Sequence, residues 1–115
     1  MLKIKRVYEK ADSGDGIRFL VDRQWPRGIK KEDLKMKAWL KEVSPSPALR
    51  KWYSHDPAKW HEFQKKYRAE LKGNPDAWQL ILDAARNGNV TLVYSARDVE
   101  HNSALVLKEF LEEHI

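Results

Sequence analysis

Nine consecutive residues, Leu20-Val21-Asp22-Arg23-Gln24-Trp25-Pro26-Arg27-Gly28, carry a dense set of reactive and binding groups. The guanidinium forks of Arg23 and Arg27 suit a two-point grip on a carboxylate or phosphate, and Asp22 can orient an arginine or accept a proton. Trp25 offers a flat face for stacking on a ring or a guanidinium. The same residues also fit a structural role, in which a buried Asp–Arg pair fixes the loop and Trp25 plugs the core. The apolar run ahead of them, Ile17 with Phe19, Leu20 and Val21, reads as a buried strand. Strand ends in open α/β sheets are where ligands usually bind.

A second segment repeats the form: Val90-Thr91-Leu92-Val93-Tyr94 runs into Ser95-Ala96-Arg97-Asp98-Val99-Glu100-His101-Asn102. Arg97 adds positive charge, His101 can move a proton near neutral pH, and backbone N–H groups at the start of the following helix suit an anion. Asn102 is a candidate polar contact and Asp98 a candidate helix cap. Ser95 lacks a base at any readable spacing and has no Gly-x-Ser-x-Gly flanks, which argues against a nucleophile. His55, just ahead of the helix start Asp56-Pro57, can reach a ligand or stand as a plain surface group. Asp22 and His101 are therefore the acid–base candidates. Arg23, Trp25, Arg27, His55, Arg97 and Asn102 are the candidate ligand contacts. No metal site is expected, because His55, His61, Asp98, Glu100 and His101 lack the His-Glu-x-x-His spacing that puts ligands on one helix face.

Several elements must hold these groups. Leu2, Ile4 and Val7-Tyr8 suggest an opening strand, and Ala11 to Gly16 reads as a turn. So short a link predicts an antiparallel hairpin between the first two strands. Leu34 and Ala38, with their neighbours Met36 and Trp39-Leu40, suggest a short helix, ended by Ser44-Pro45-Ser46-Pro47. Ser46-Pro47 caps a further short helix with Leu49, Trp52 and Tyr53. After Asp56-Pro57, the residues Trp60, Phe63, Tyr67 and Leu71 form one apolar stripe. Asn74-Pro75 starts a helix carrying Trp78, Ile81, Leu82 and Ala85, closed by Asn87-Gly88 in a left-handed turn. A final helix from about Glu100 carries Ala104, Leu107 and Leu111. Trp60 and Trp78 are expected in the core, with Trp39 and Trp52 in or near it.

The 115 residues suit one domain, residues 1–115, with a single modest core. There are no cysteines, which excludes disulfides and thiolate chemistry. No apolar run approaches the roughly 20 residues of a membrane span, and the start lacks a signal-peptide pattern, so a cytoplasmic location is the expectation. The net charge of +5 is uneven: residues 1–60 hold 15 Lys/Arg against 8 Asp/Glu, and residues 61–115 hold 7 against 9. A basic half attracts anionic metabolites or nucleic acid, or simply keeps the chain soluble.

Val21-Asp22-Arg23 with Trp25-Pro26-Arg27-Gly28, then Pro45-Ser46, Leu49-Arg50-Lys51-Trp52, His55-Asp56-Pro57, and Thr91 to Tyr94 leading to Asp98 and His101-Asn102, together resemble the YeaO-like branch of the domain-of-unknown-function 488 family. The resemblance spans nearly the whole chain, and it implies a small α/β protein with a parallel core whose activity is unassigned. It also implies that the first strand and the Val-Asp-x-Arg strand lie side by side, against the hairpin. Gln24 stands where the family leads one to expect an apolar residue, and Ser95 where members often carry alanine, which further weakens a nucleophilic Ser95.

The expected fold is thus α/β, a small, mainly parallel three-stranded sheet packed by helices. The expected function is binding of a small anionic ligand at the strand ends, phosphate- or carboxylate-bearing and nucleotide-like ligands included, with or without its chemical transformation and with no cofactor specified. The alternative is a non-enzymatic nucleic-acid- or protein-interaction module built on the basic N-terminal half.

Overall fold

The computed structural model describes residues 1–115. Four strands, β1 (Leu2–Arg6), β2 (Ile17–Leu20), β3 (Ala38–Trp39) and β4 (Val90–Tyr94), form one sheet in the order β1-β4-β2-β3. Every pairing is parallel, with Leu2 opposite Val90, Ile17 opposite Val90 and Phe19 opposite Ala38. The fold is α/β with four strands where the sequence suggested three.

The direction and neighbours of the first two strands correct both sequence expectations. β1 and β2 are parallel, not a hairpin, and they are not side by side because β4 lies between them. The short link returns across one face of the sheet with no helix, using only a 3₁₀ turn at Ser13–Asp15. Gly16 makes that return possible. Its φ of +65° is left-handed, and a Cβ there would stand 2.1 Å from the Asn89 carbonyl oxygen. Only glycine fits such an approach.

Alternation along the strands splits the interior in two. Leu2, Phe19, Val90, Leu92 and Tyr94 point to the face covered by the helices α1 (Pro47–Tyr53), α2 (Trp60–Lys72), α3 (Pro75–Arg86) and α4 (Ser103–Glu112). The helices contribute Leu49, Phe63, Tyr67, Ile81, Leu107 and Phe110 to this main core. On the other face, Leu20 and Val93 pack with Val7, Leu34 and the partly buried Trp25, Met36 and Trp39. Covering both faces is the usual requirement of a parallel sheet.

The helix expected over residues 34–40 is replaced by a 3₁₀ turn at Lys31–Asp33 and the strand β3. Leu34 and Met36 reach the second core at a strand's period of two, and backbone bonds from Lys37 to Arg18 and from Leu40 to Leu20 dock the segment on β2. Ser46 caps α1 as expected, whereas Asp56 caps a 3₁₀ turn at Pro57–Lys59 that runs into α2, and Asn74 starts α3 without a side-chain cap bond. Ser46 Oγ accepts from the Leu49 N–H at 3.2 Å, and Asp56 Oδ1 accepts from the Ala58 N–H at 3.0 Å. α3 ends without the expected left-handed turn at Asn87-Gly88. α4 begins at Ser103, later than expected, with Asn102 rather than Asp98 as its cap. Trp78 is buried, Trp39 and Trp60 are partly buried, and Trp52 is exposed, contrary to its expected place near the core. Two lysines, Lys59 and Lys66, lie 5.2 Å and 5.1 Å from the Trp52 ring centre.

Candidate functional site

Parallel strands end on one edge, so the residues that follow β2 and β4 meet there. A crevice of about 970 Å³ opens at that edge, and all eight candidate residues read from the sequence line it. Arg6, the last residue of β1, and Arg50 on α1 line it too. Neither was singled out beforehand. Arg6 follows the same strand-end logic as Arg23. Arg50 is brought in by the packing of α1, which no local pattern announces.

The ends of β2 and β4 are joined by a single carboxylate. Asp22 Oδ2 accepts from the Ser95 N–H at 2.9 Å and from the Ser95 hydroxyl at 2.7 Å. Burial pushes the Asp22 carboxyl above its ordinary range, opposed by the two Ser95 donors and by the positive charge of Arg50. Ser95 donates its hydroxyl proton to an acid instead of facing a histidine, an arrangement that clips two strands together and does not activate a nucleophile.

The arginines are held differently from one another. Arg6 donates from Nε to the Ala96 carbonyl at 2.9 Å and from Nη2 to the Ser95 carbonyl at 3.1 Å. Arg23 donates to the Pro45 carbonyl at 3.3 Å and, more weakly, to the Ser44 carbonyl at 3.5 Å. Carbonyl acceptors fix a guanidinium in place without cancelling its charge. Arg27, Arg50 and Arg97 are exposed. None of the ion pairs in the molecule engages any of these five arginines.

On the β4 side, Asp98 organises the loop before α4. Its Oδ1 accepts from the N–H groups of Glu100 at 2.9 Å and His101 at 3.0 Å, and its Oδ2 lies 2.9 Å from His101 Nδ1. The Glu100 N–H, with the bonds to His101, holds the Asp98 carboxyl below its usual range against the opposing effect of desolvation. The His101 ring stands edge-on to Trp60, with centres 5.2 Å apart at 89°. Asn102 is 4% exposed and committed internally: Oδ1 accepts from the Leu105 N–H at 2.9 Å and Nδ2 donates to the Asp98 carbonyl at 3.1 Å.

Aromatic rings line the far wall. Tyr53 stacks on Phe63 at 4.4 Å between centres, and both face the crevice. His55 sits at the lip with a φ of +57°, directly after Ser54 at +50°. Two consecutive non-glycine residues in the left-handed region mark stored strain beside the crevice. Trp25 is anchored from behind, donating from Nε1 to the Ile29 carbonyl at 2.6 Å and meeting Trp39 edge-on at 5.4 Å.

Over residues 1–115 the chain matches the family model described as the inactive DUF488-N3 subclade. It is 43% identical over 110 residues to the uncharacterized protein YeaO of Escherichia coli, covering 96% of each chain. It is 41% identical over 110 residues to uncharacterized proteins of Mycobacterium bovis and Mycobacterium tuberculosis, covering 96% of this chain and 92% of theirs. No solved structure matches it significantly. No helix is long and apolar enough to cross a membrane.

Proposed function

The chain belongs to the inactive DUF488-N3 subclade, and from that premise we propose that its strand-end crevice binds a small anion without transforming it. The observation that carries this reading is the charge of the walls: five arginines against two aspartates. Both aspartates are already engaged, Asp22 by Ser95 and Asp98 by His101. Guanidinium groups gathered in a concave, partly desolvated site, with no carboxylate of their own, attract and orient a phosphate or carboxylate.

The roles then divide by how each group is held. Arg6 and Arg23 are fixed contacts, while Arg27, Arg50 and Arg97 close on the ligand from exposed positions. His55 and His101 add hydrogen-bond donors. Asp22 and Asn102 position the neighbouring loops, and Trp25 with Tyr53 and Phe63 gives the ligand an apolar wall. The chemistry expected of Asp22 and His101 is accordingly orientation, with no proton transfer to a substrate.

Thermal denaturation with inorganic phosphate, pyrophosphate and citrate at matched ionic strength tests the proposal. A saturable rise in Tm is expected, reaching about 10 °C when an anion is near a hundredfold above its Kd. Arg27→Ala and Arg97→Ala keep their fold and lose that rise. Phosphorus NMR of bound pyrophosphate shows no hydrolysis. A Tm that follows ionic strength alone, whatever the anion, overturns the reading.

A further inference from the structure

We infer that the crevice takes a ligand with two separate anionic groups joined by a hydroxyl- or amine-bearing spacer, of which a sugar bisphosphate is the simplest example. This rests on the anion-binding reading above and specifies the ligand's shape.

Three observations carry it. The crevice, at about 970 Å³, lies at the upper end of the roughly 300–1,000 Å³ that encloses whole small-molecule ligands, so a single phosphate leaves most of it empty of ligand. Its two fixed guanidiniums are anchored at two different places. Arg6 is tied to the carbonyls of Ser95 and Ala96 just past β4, whereas Arg23 is tied to those of Ser44 and Pro45, beyond the 3₁₀ turn Lys41–Val43. Those anchors belong to separate segments of the chain, and the two arginines themselves come from β1 and from the loop after β2, strands held apart by β4. Each can hold one anionic group.

The third observation is what stands between them. Asp22 follows β2, the strand between β4 and β3. Its Oδ2 takes both Ser95 donors, and Oδ1 receives no hydrogen bond from the protein. A carboxylate there repels an anion at the centre of the crevice and accepts a hydrogen bond from a hydroxyl or amine. The wall therefore offers an acceptor, Asp22, linked through Ser95 to the anchor of Arg6 on one side and adjoining Arg23 in the chain on the other. A polyol or amino spacer with an anionic group at each end complements that arrangement.

Isothermal titration of the full chain at constant ionic strength decides the matter, with fructose 1,6-bisphosphate, fructose 6-phosphate and pyrophosphate as probes. The bisphosphate is expected to bind at least about tenfold more tightly than the monophosphate, a difference of about 1.4 kcal/mol. Pyrophosphate, whose charges are adjacent, falls short of it. Arg23→Ala and Arg6→Lys each bring the bisphosphate to within about threefold of the monophosphate, because one two-point grip is lost. Lys31→Ala, an equal change of charge outside the crevice, leaves the ratio as it was. Should Arg6→Lys fail to fold, Arg23→Ala alone is decisive. Equal affinities for mono- and bisphosphate, or pyrophosphate matching the bisphosphate, overturn the spacing and leave the anion site standing. Absence of binding by all three overturns both.

Discussion

Asp22 illustrates how one side chain can look catalytic in sequence and act differently in space. Its strand-end position next to two arginines marked it as a base, yet Ser95 N–H and Oγ–H both donate to its Oδ2. An amide oxygen accepts the same two bonds, so Asp22→Asn should fold with a stability within about 1 kcal/mol of the parent. Inorganic phosphate, which has no spacer hydroxyl to lose a partner, should bind the variant several times more tightly, because one of the two crevice carboxylates is gone. The pH dependence follows from the sign of the shift. Burial raises the folded-state pKa of Asp22, so its ionised form disfavours folding at neutral pH. That penalty fades as the pH falls towards the carboxyl's own titration. Stability measured by denaturant from pH 7 down to 4 should therefore shift in the parent's favour relative to Asp22→Asn. An Asp22→Asn chain that does not fold would show instead that the charge itself is structural. The neighbourhood of Asp22 was legible because two parallel strands must end on one edge, so clusters read separately, around Arg23 and Arg97, face a shared space. The identity of its hydrogen-bond partner was not legible, since Ser95 is 73 residues away in the chain.

At the scale of elements, the misread segments are those where a local pattern fits two structures and a distant strand chooses between them. Leu34 and Ala38 are four apart and suit a helix; Leu34 and Met36 are two apart and suit a strand. Pairing with β2 settles the matter, and β2 is not visible from that window. Helices with a long apolar stripe, α2 above all, were legible because that signal is local. The link between β1 and β2 misled because it is too short for a helical crossover, and the rule behind that inference assumes one. The chain manages without a helix by running Gly16 against Asn89. Gly16→Ala puts a Cβ into that carbonyl and an L-residue into a left-handed backbone, so a loss of about 3 kcal/mol or more in urea denaturation is expected. The end of α1 makes the opposite prediction. Ser54 and His55 are both left-handed, and glycine relieves that cost. Ser54→Gly and His55→Gly should each raise stability by roughly 1 kcal/mol, seen as a higher Tm. Only His55→Gly, at the crevice lip, should weaken anion binding. A fall in Tm for both would mean that these side chains hold the loop by contacts.

Across the whole molecule, the polar groups form two assemblies with opposite characters, one on each side of the distinction between binding and support. At the strand ends, arginines stand without carboxylate partners. On the face away from the helices, a second group of charges is paired around the buried Asp15 and Arg18. Asp15, with 3% of its side chain exposed, meets Lys5 Nζ at 2.9 Å and the guanidinium of Arg18, itself 7% exposed. Its backbone carbonyl accepts from Thr91 Oγ1 at 2.8 Å, tying the crossover to the central strand. None of this network was read from the sequence, because Asp15 lies in what looked like an ordinary turn of polar residues and glycines. Desolvation works to raise the Asp15 carboxyl, but Lys5, the Asp12 backbone N–H and Arg18 outweigh it and hold the pKa at about 2, below the ordinary 3.8. A lowered carboxylate pKa adds stability that is complete above the unfolded-state value and is lost as the pH falls through the folded one. The domain should therefore lose stability steeply between about pH 4 and pH 2, as this carboxylate takes up a proton. Asp15→Asn should cost about 3–5 kcal/mol at pH 7, because Arg18 is left buried without its counter-charge. Its remaining stability should vary less over the acid range. A second variant guards against a chain too unstable to measure: Asp15→Leu with Arg18→Met removes both charges and should recover much of the loss, since a buried pair replaced by apolar groups is often neutral. Denaturant titrations of the three proteins from pH 7 to pH 2 check this. An Asp15→Asn protein with the parent's stability and the parent's acid slope would mean that the crossover is held by Gly16 and Thr91 alone.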